Sequence, residues 1–245
     1  MKTLRKIGIV LMSVFMIAGL GACGDDDDDS NGNGQGGNDN SVPSVKCPDG
    51  NHPHLIDMGL PSGTKWACCN VGASAPQDKG GYYAWGETEE SAAYNADTYL
   101  YYNSKNGWIH IGDDISGTEY DVARAKWGAP WRMPSLDEMK ELRDKCAHEW
   151  TRLNGVNGIH VTGPNGNSVF LPAAGNRWGE NLYSDGSYGC YWSGTLDTGK
   201  KNNESSGNSE NSMSNTYGLG FDPNGWYWGS YYGRYYGFSV RPVAK

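Results

Sequence analysis

The chain has 245 residues and a net charge of -8, from 28 acidic and 20 basic side chains. No cluster of Lys and Arg stands out, which excludes a nucleic-acid binder, because phosphate contacts need such clusters. Glycine (36), tyrosine (16) and tryptophan (10) are abundant while phenylalanine (4) is scarce, an unusual composition for a globular chain.

The first residues carry Lys2, Arg5 and Lys6, and an uncharged run follows from Ile7 to Leu20. This is the pattern of a secretory signal, and the run is too short to span a bilayer comfortably. Residues 1-22 are therefore expected to be a signal peptide. Leu20-Gly21-Ala22-Cys23 resembles the bacterial lipobox, which implies cleavage before Cys23 and lipidation of its thiol. Stable anchoring needs more than one acyl chain, a condition that a multiply acylated Cys23 meets. Residues 23-46 read as a tether: Gly24, five aspartates from Asp25 to Asp29, then a Ser/Asn/Gly stretch that has no apolar surface to bury. An acidic run after a lipidated Cys resembles the export signal of Bacteroidetes surface lipoproteins. That resemblance implies an outer-membrane, lipid-anchored protein facing the cell exterior, on a tether spanning roughly 25 Å.

Residues 47-245 are the size of one ordinary domain. Besides Cys23 the chain has Cys47, Cys68, Cys69, Cys146 and Cys190. Their spacing is not that of a zinc site, and a disulfide from Cys68 or Cys69 to Cys146 is expected in an oxidising compartment. His52-Pro53-His54 is read as exposed side chains rather than a metal site, so no metal and no cofactor is expected.

Helical signals concentrate in one region. Ser135-Leu136-Asp137-Glu138 is a capping box, and Leu136, Met139, Leu142 and Cys146 follow at helical spacing, which predicts a helix over about 135-148. A shorter helix is expected to start at Thr118, with Asp121 at the reciprocal capping position, and to end at Gly128. The remainder reads as short strands separated by turns at Asn157-Gly158, Asn165-Gly166, Asp185-Gly186 and Asn224-Gly225. The fold class is α+β, loop-rich, with few helices.

From about 191 to 236 the sequence interleaves Trp226, Tyr227, Trp228, Tyr231, Tyr232, Tyr235 and Tyr236 with Gly, Ser and Asn, after a polar loop from Thr198 to Ser214. That is the composition of a paratope, in which rigid rings give contact area and small polar residues give adaptable hydrogen bonds. Asp222, Asn224, Trp226, Tyr227, Trp228, Ser230, Tyr231, Tyr232 and Tyr235 are the expected ligand contacts. Gly218-Leu219-Gly220-Phe221 reads as a supporting strand with Leu219 and Phe221 inward. Arg234 is expected to anchor a carboxylate or pair with an internal acid. Replacing Trp226, Tyr227, Trp228, Tyr231 and Tyr232 together by Ser is expected to change stability by only about 1 to 2 kcal/mol if all are surface positions.

Several phrases occur in order: Asp57-Met58-Gly59-Leu60-Pro61-Ser62-Gly63-Thr64-Lys65-Trp66-Ala67, Cys69-Asn70-Val71-Gly72-Ala73, Tyr82-Tyr83-Ala84-Trp85-Gly86-Glu87, Trp131-Arg132-Met133-Pro134, Asn154-Gly155-Val156-Asn157-Gly158, Phe170-Leu171-Pro172-Ala173-Ala174-Gly175, Tyr191-Trp192-Ser193 and Gly237-Phe238-Ser239-Val240-Arg241-Pro242-Val243. Together they resemble the Fibrobacter succinogenes major paralogous domain of Bacteroidetes surface lipoproteins. The resemblance implies a C-type lectin-like fold of the formylglycine-generating-enzyme type, with small twisted sheets and a loop-built face. It also implies kinship with variable proteins of diversity-generating retroelements, whose rewritten segment would end before Gly237, on a scaffold fixed by Trp66, Trp85, Trp131 and Phe238.

The function expected is that of a surface receptor or adhesin for a protein or glycan, touching the membrane only through its lipid. A fimbria-associated structural subunit is the alternative. An enzyme of the formylglycine-generating type is disfavoured: that chemistry uses a pair of reactive cysteines near the C-terminus, and here only Cys190 lies there. Glu87 and Glu180 carry no spacing that marks an acid/base pair. Asp222-Pro223-Asn224 is read as a turn rather than a calcium-lectin motif, since its companion Trp-Asn-Asp is missing.

Overall fold

The computed structural model describes residues 55–199 and 213–245. The expected signal peptide and tether, with Cys23, Cys47, His52, His54 and most of the polar loop, lie outside the described residues. Those described belong to one compact unit, built of small antiparallel sheets, two helices and many loops. No helix among them is long and apolar enough to cross a membrane.

In chain order, β1 (Leu55–Asp57) and β2 (Lys65–Ala67) are followed by the short pair β3 (Tyr102–Asn103) and β4 (Gly107–Trp108), then by α1 (Val122–Trp127) and α2 (Leu136–Lys145). A meander follows: β5 (Ala147–Leu153), β6 (Val156–Thr162) and β7 (Ser168–Pro172). A two-stranded hairpin, β8 (Asn176–Trp178) and β9 (Asn181–Tyr183), leads into the sheet of β10 (Gly189–Leu196), β11 (Asn215–Asp222) and β12 (Gly225–Gly233). The last strand, β13 (Val243–Ala244), returns to pair with β2, placing Val243 opposite Trp66.

The helix α2 begins as the capping box requires. The Ser135 hydroxyl accepts from the Glu138 amide and the Glu138 carboxylate accepts from the Ser135 amide, which satisfies two of the orphan donors of a helix start. Its apolar stripe, Met139 and Leu142, is buried. The helix stops at Lys145 rather than near His148, because Ala147 to Leu153 is drawn into β5 by seven residue pairs with β6. Tertiary pairing here overrides helix propensity. In α1, Asp121 is the N-cap itself: one carboxylate oxygen accepts from the Ala123 and Arg124 amides and the other from Gly117 and Met133. The helix therefore starts at Val122, not Thr118, and ends before Gly128 as the sequence suggests.

The turn assigned to Asn157-Gly158 lies three residues earlier. Asn154 and Gly155 hold φ of 48° and 86° and join β5 to β6, the left-handed pair that suits a tight hairpin. Gly158 is inside β6, where a Cβ would strike the Leu171 carbonyl.

The sheet of β10, β11 and β12 has core on both sides. Tyr191, Leu219 and Phe221 point into one cluster with Met58, Trp66, Met139, Leu142 and the meander. Cys190 and Trp192 point into another with Tyr83, Trp85, Met133, Phe238 and Val240. The inward reading of Leu219 and Phe221 holds, and Trp66, Trp85, Trp131 and Phe238 are all buried. Cys146 is a free thiol in the first cluster, whereas Cys68 and Cys69 pack in a separate one with Ala73. The expected disulfide from Cys68 or Cys69 to Cys146 is therefore not formed.

Candidate ligand-binding cleft

The Tyr- and Trp-rich segment is mostly strand. Asp222 and Gly225 close the β11–β12 hairpin across Pro223 and Asn224, and the Asp222 carboxylate accepts from the Asn224 amide (2.7 Å) and the Tyr227 hydroxyl (2.9 Å). This is the geometry of an Asx turn. Asn224 is exposed. Trp226 is half-buried, packs on the first core cluster and meets Phe221 and His148 edge-on. Tyr227 is exposed and stacks over Tyr188 at 6.3 Å. The backbones of Trp228, Ser230 and Tyr231 belong to β12, while their side chains lie outside the description.

Tyr232 turns back over its own sheet. Its ring lies edge-on to Trp192 and Phe238, and its hydroxyl is 3.1 Å from that of Tyr188. This close approach explains glycines in β11 and in β12 itself. A Cβ at Gly220 would hit the Tyr188 hydroxyl, and one at Gly229 would enter the Tyr232 ring. Tyr235 lies behind the cleft wall, stacked on Tyr236 at 5.0 Å and on Trp108 at 6.2 Å, beside a third cluster of rings. The nine expected contacts are thus divided: Tyr227 and Tyr232 adjoin one face, Tyr235 backs its Tyr236 wall, and Trp226 is packed on the core. Serine at both Trp226 and Tyr232 would delete two packed rings, each worth about 3 kcal/mol or more. The five replacements together therefore cost more than the expected change of about 1 to 2 kcal/mol.

Arg234 is buried away from any external carboxylate and pairs with no acid among the described residues. It is fully buried, with its guanidinium over the rings of Trp85, Tyr99 and Trp108 at 4.9, 5.4 and 5.8 Å. It donates to the Tyr99 hydroxyl and to the carbonyls of Ile109 and Met213. Burial pulls its pKa down from the usual value. Glu87 is also buried; it accepts from the Leu100 amide, and its pKa is pushed up by desolvation.

Beside Tyr232 opens a cleft of about 400 Å³. Asn176 comes from β8 and Ser184 from the turn after β9, with Tyr188 just beyond it. Cys190 and Phe238 form the buried floor, and Tyr232 and Tyr236 complete the wall. None of these seven side chains bears a charge at neutral pH, because burial pushes the Cys190 thiol far up. The rim extends through Trp178, which lies 6.4 Å from the Tyr236 ring and 6.1 Å from Tyr183. Trp178 and Tyr183 are 50% and 41% exposed. The hairpin that carries them is fixed at two points, by paired backbone hydrogen bonds between Arg177 and Gly237 and between Tyr94 and Gly179.

Asn176, Trp178, Tyr183, Ser184 and Tyr188 were absent from the sequence-based set. Their signal was available: Trp178-Gly179-Glu180-Asn181-Leu182-Tyr183-Ser184-Asp185-Gly186-Ser187-Tyr188 has the same mixture of rings and small polar residues as the segment that was singled out.

A second, larger cleft of about 570 Å³ is lined by charged and hydroxyl groups, among them Asp114, Arg132, Glu138 and Glu141. Its polar groups are largely engaged within the protein. Arg132 forks onto Glu138, Ser62 donates to Glu141 through amide and hydroxyl, and Asp114 accepts from the Ser116 amide. Burial alone would raise the Glu138 pKa, but Arg132, the Ser135 amide and the Thr64 hydroxyl outweigh it and bring the carboxyl down to about 2. Comparison of the chain with family models, with curated proteins and with solved structures finds no match in any of the three.

Proposed function

We propose that the chain is a surface-displayed, lipid-anchored binding protein, a receptor or adhesin whose recognition face is the aromatic cleft between the β8–β9 hairpin and β12. The observation that carries this reading is an uncharged cleft walled by tyrosine rings, with further rings, Trp178, Tyr183 and Tyr227, exposed at its rim. Rings with one apolar face and one polar tip are the groups that recognition surfaces use. The lipobox-like Leu20-Gly21-Ala22-Cys23 and the acidic run behind it support the anchor and the outward-facing location.

We also propose the finer fold reading, a C-type lectin-like domain of the major paralogous family. Its support is the ordered set of phrases, the pairing of the early strand β2 with the terminal β13, and the loop-rich build with only two helices among the described residues. Diversification by a retroelement remains part of the proposal. The positions best suited to it are exposed ones such as Asn224 and Tyr227, since substitution at Trp226 or Tyr232 would also alter the core.

The test uses cells displaying the full chain. Metabolic labelling with palmitate and protease shaving should find a lipidated, accessible protein, and Cys23→Ala should abolish both the label and membrane retention. Displaying cells are then applied to panels of immobilised proteins and glycans. Selective binding that is lost in Tyr188→Ala/Tyr236→Ala, with a folded variant by circular dichroism, supports the reading. Binding to nothing on either panel, or binding indifferent to that variant, sinks it.

A further inference from the structure

We infer that the cleft takes an uncharged saccharide, with one sugar ring stacked at the Trp178–Tyr236 rim and its hydroxyls directed to Asn176 and Ser184. This rests on the proposal that the cleft is the recognition face, and it names the class of ligand.

The first argument is charge. A charged ligand entering a low-dielectric cleft loses hydration and must regain it from an opposite charge, and no Asp, Glu, Lys, Arg or His lines this one. Two charges adjoin its wall in sequence, and both are engaged away from it: Asp185 is held by Lys79, and the Arg177 guanidinium lies over the Tyr82 ring at 5.2 Å. Phosphate, sulfate, sialic acid and charged peptide side chains are thereby disfavoured.

The second argument is amphipathy. A purely apolar occupant, such as a leucine side chain of a peptide, would cover the Asn176 amide, the Ser184 hydroxyl and the Tyr188–Tyr232 hydroxyl pair without replacing their water. Each group left unpaired then carries its full desolvation penalty. The Asn176 side chain is half-buried and lines the cleft, so its amide donors and acceptor are placed to serve a ligand. A pyranose matches this mixture, because one face of the ring presents C–H groups to an aromatic ring while hydroxyls girdle its edge. The rim supplies the aromatic part: Trp178, tilted 38° to Tyr236 and 41° to Tyr183, has half its surface open.

The third argument is size. The volume of about 400 Å³ falls near the lower end of small-ligand sites, roughly 300–1,000 Å³. It suits a short stretch of sugar chain rather than a folded partner, and continuation along the exposed ring of Tyr227 would seat a further unit.

The experiment titrates the full chain, in detergent, with neutral gluco-, galacto- and manno-oligosaccharides from disaccharide to hexasaccharide, and with matched sialylated and sulfated forms. Tryptophan emission and saturation-transfer NMR report binding. The expected result is saturable binding of at least one neutral series with a change in tryptophan emission. Trp178→Ala and Asn176→Ala should each weaken it roughly tenfold, and both variants should melt like the parent. Binding confined to charged glycans overturns the inference, as does neutral binding indifferent to both substitutions. If no saccharide binds while an immobilised protein is still captured through Tyr188 and Tyr236, the saccharide assignment fails and the recognition face stands. If neither is captured, both fail.

Discussion

The two clefts of this domain invite opposite conclusions from those their sizes suggest. The larger is crowded with carboxylates, a guanidinium and hydroxyls, the chemistry commonly sought in an active centre, yet those groups are largely engaged with one another. Arg132 and Glu138 form a forked pair that also ties down the start of α2 and the Thr64 hydroxyl. The smaller holds no charge, and it leaves an amide, hydroxyls and the faces of several rings turned toward solvent. What distinguishes a site for a partner is hydrogen-bonding and stacking capacity left over after folding, not volume or charge.

That contrast can be broken most forcefully at Glu138. Its replacement by Ala leaves Arg132 half-buried without its partner and removes one half of the capping box, so a loss of about 3 kcal/mol is expected in urea unfolding. Ligand binding at the aromatic cleft should be unchanged in the fraction that remains folded. The same group sets an acid limit. Its pKa is depressed from 4.5 to about 2, so its contribution to stability is complete above about pH 4.5 and is lost as pH falls from there through 2. The slope of stability against pH in that window should flatten in Glu138→Gln.

Gly220→Ala comes next, with an expected cost of about 2 kcal/mol, because the added methyl group meets the Tyr188 hydroxyl. It should also deform the cleft wall, coupling stability to binding where Glu138→Ala does not. Tyr232→Phe keeps the packed ring and removes only its hydroxyl, at about 1 kcal/mol by thermal or chemical melting. Tyr227→Ser, at an exposed ring, should stay within about 0.5 kcal/mol of the parent. A large loss there would show that the rim is part of the core.

The capping box at Ser135, the stop at Gly128 and the inward Leu219 and Phe221 were legible in the sequence because each depends on a local rule or a simple period. The end of α2 was not, since Ala147 to Leu153 can continue a helix by propensity and only its partner strand decides otherwise. Asn157-Gly158 was misread because a second Asn-Gly pair three residues earlier makes the turn. The candidate site was half legible. Ring-rich composition pointed to Tyr227 and Tyr232, but composition has no direction, so packed Trp226 and exposed Tyr227 looked alike. The other half of the cleft, from Asn176 to Tyr188, became visible only when the hairpin was docked against Gly237.

The pairing of β2 with both β1 and β13 also has a mechanical meaning. Any pull reaching the domain through the chain ahead of Leu55 falls first on the three residue pairs that join β1 to β2. Behind them, β2 is held by β13, and β13 in turn by reciprocal backbone hydrogen bonds between Val243 and Arg132. The final strand thus acts as a clasp. A load that strips β1 away takes the Ile56 side chain off the first core cluster but leaves β2 fastened at its other edge, so the domain yields a short length of chain before the buried members of that cluster separate.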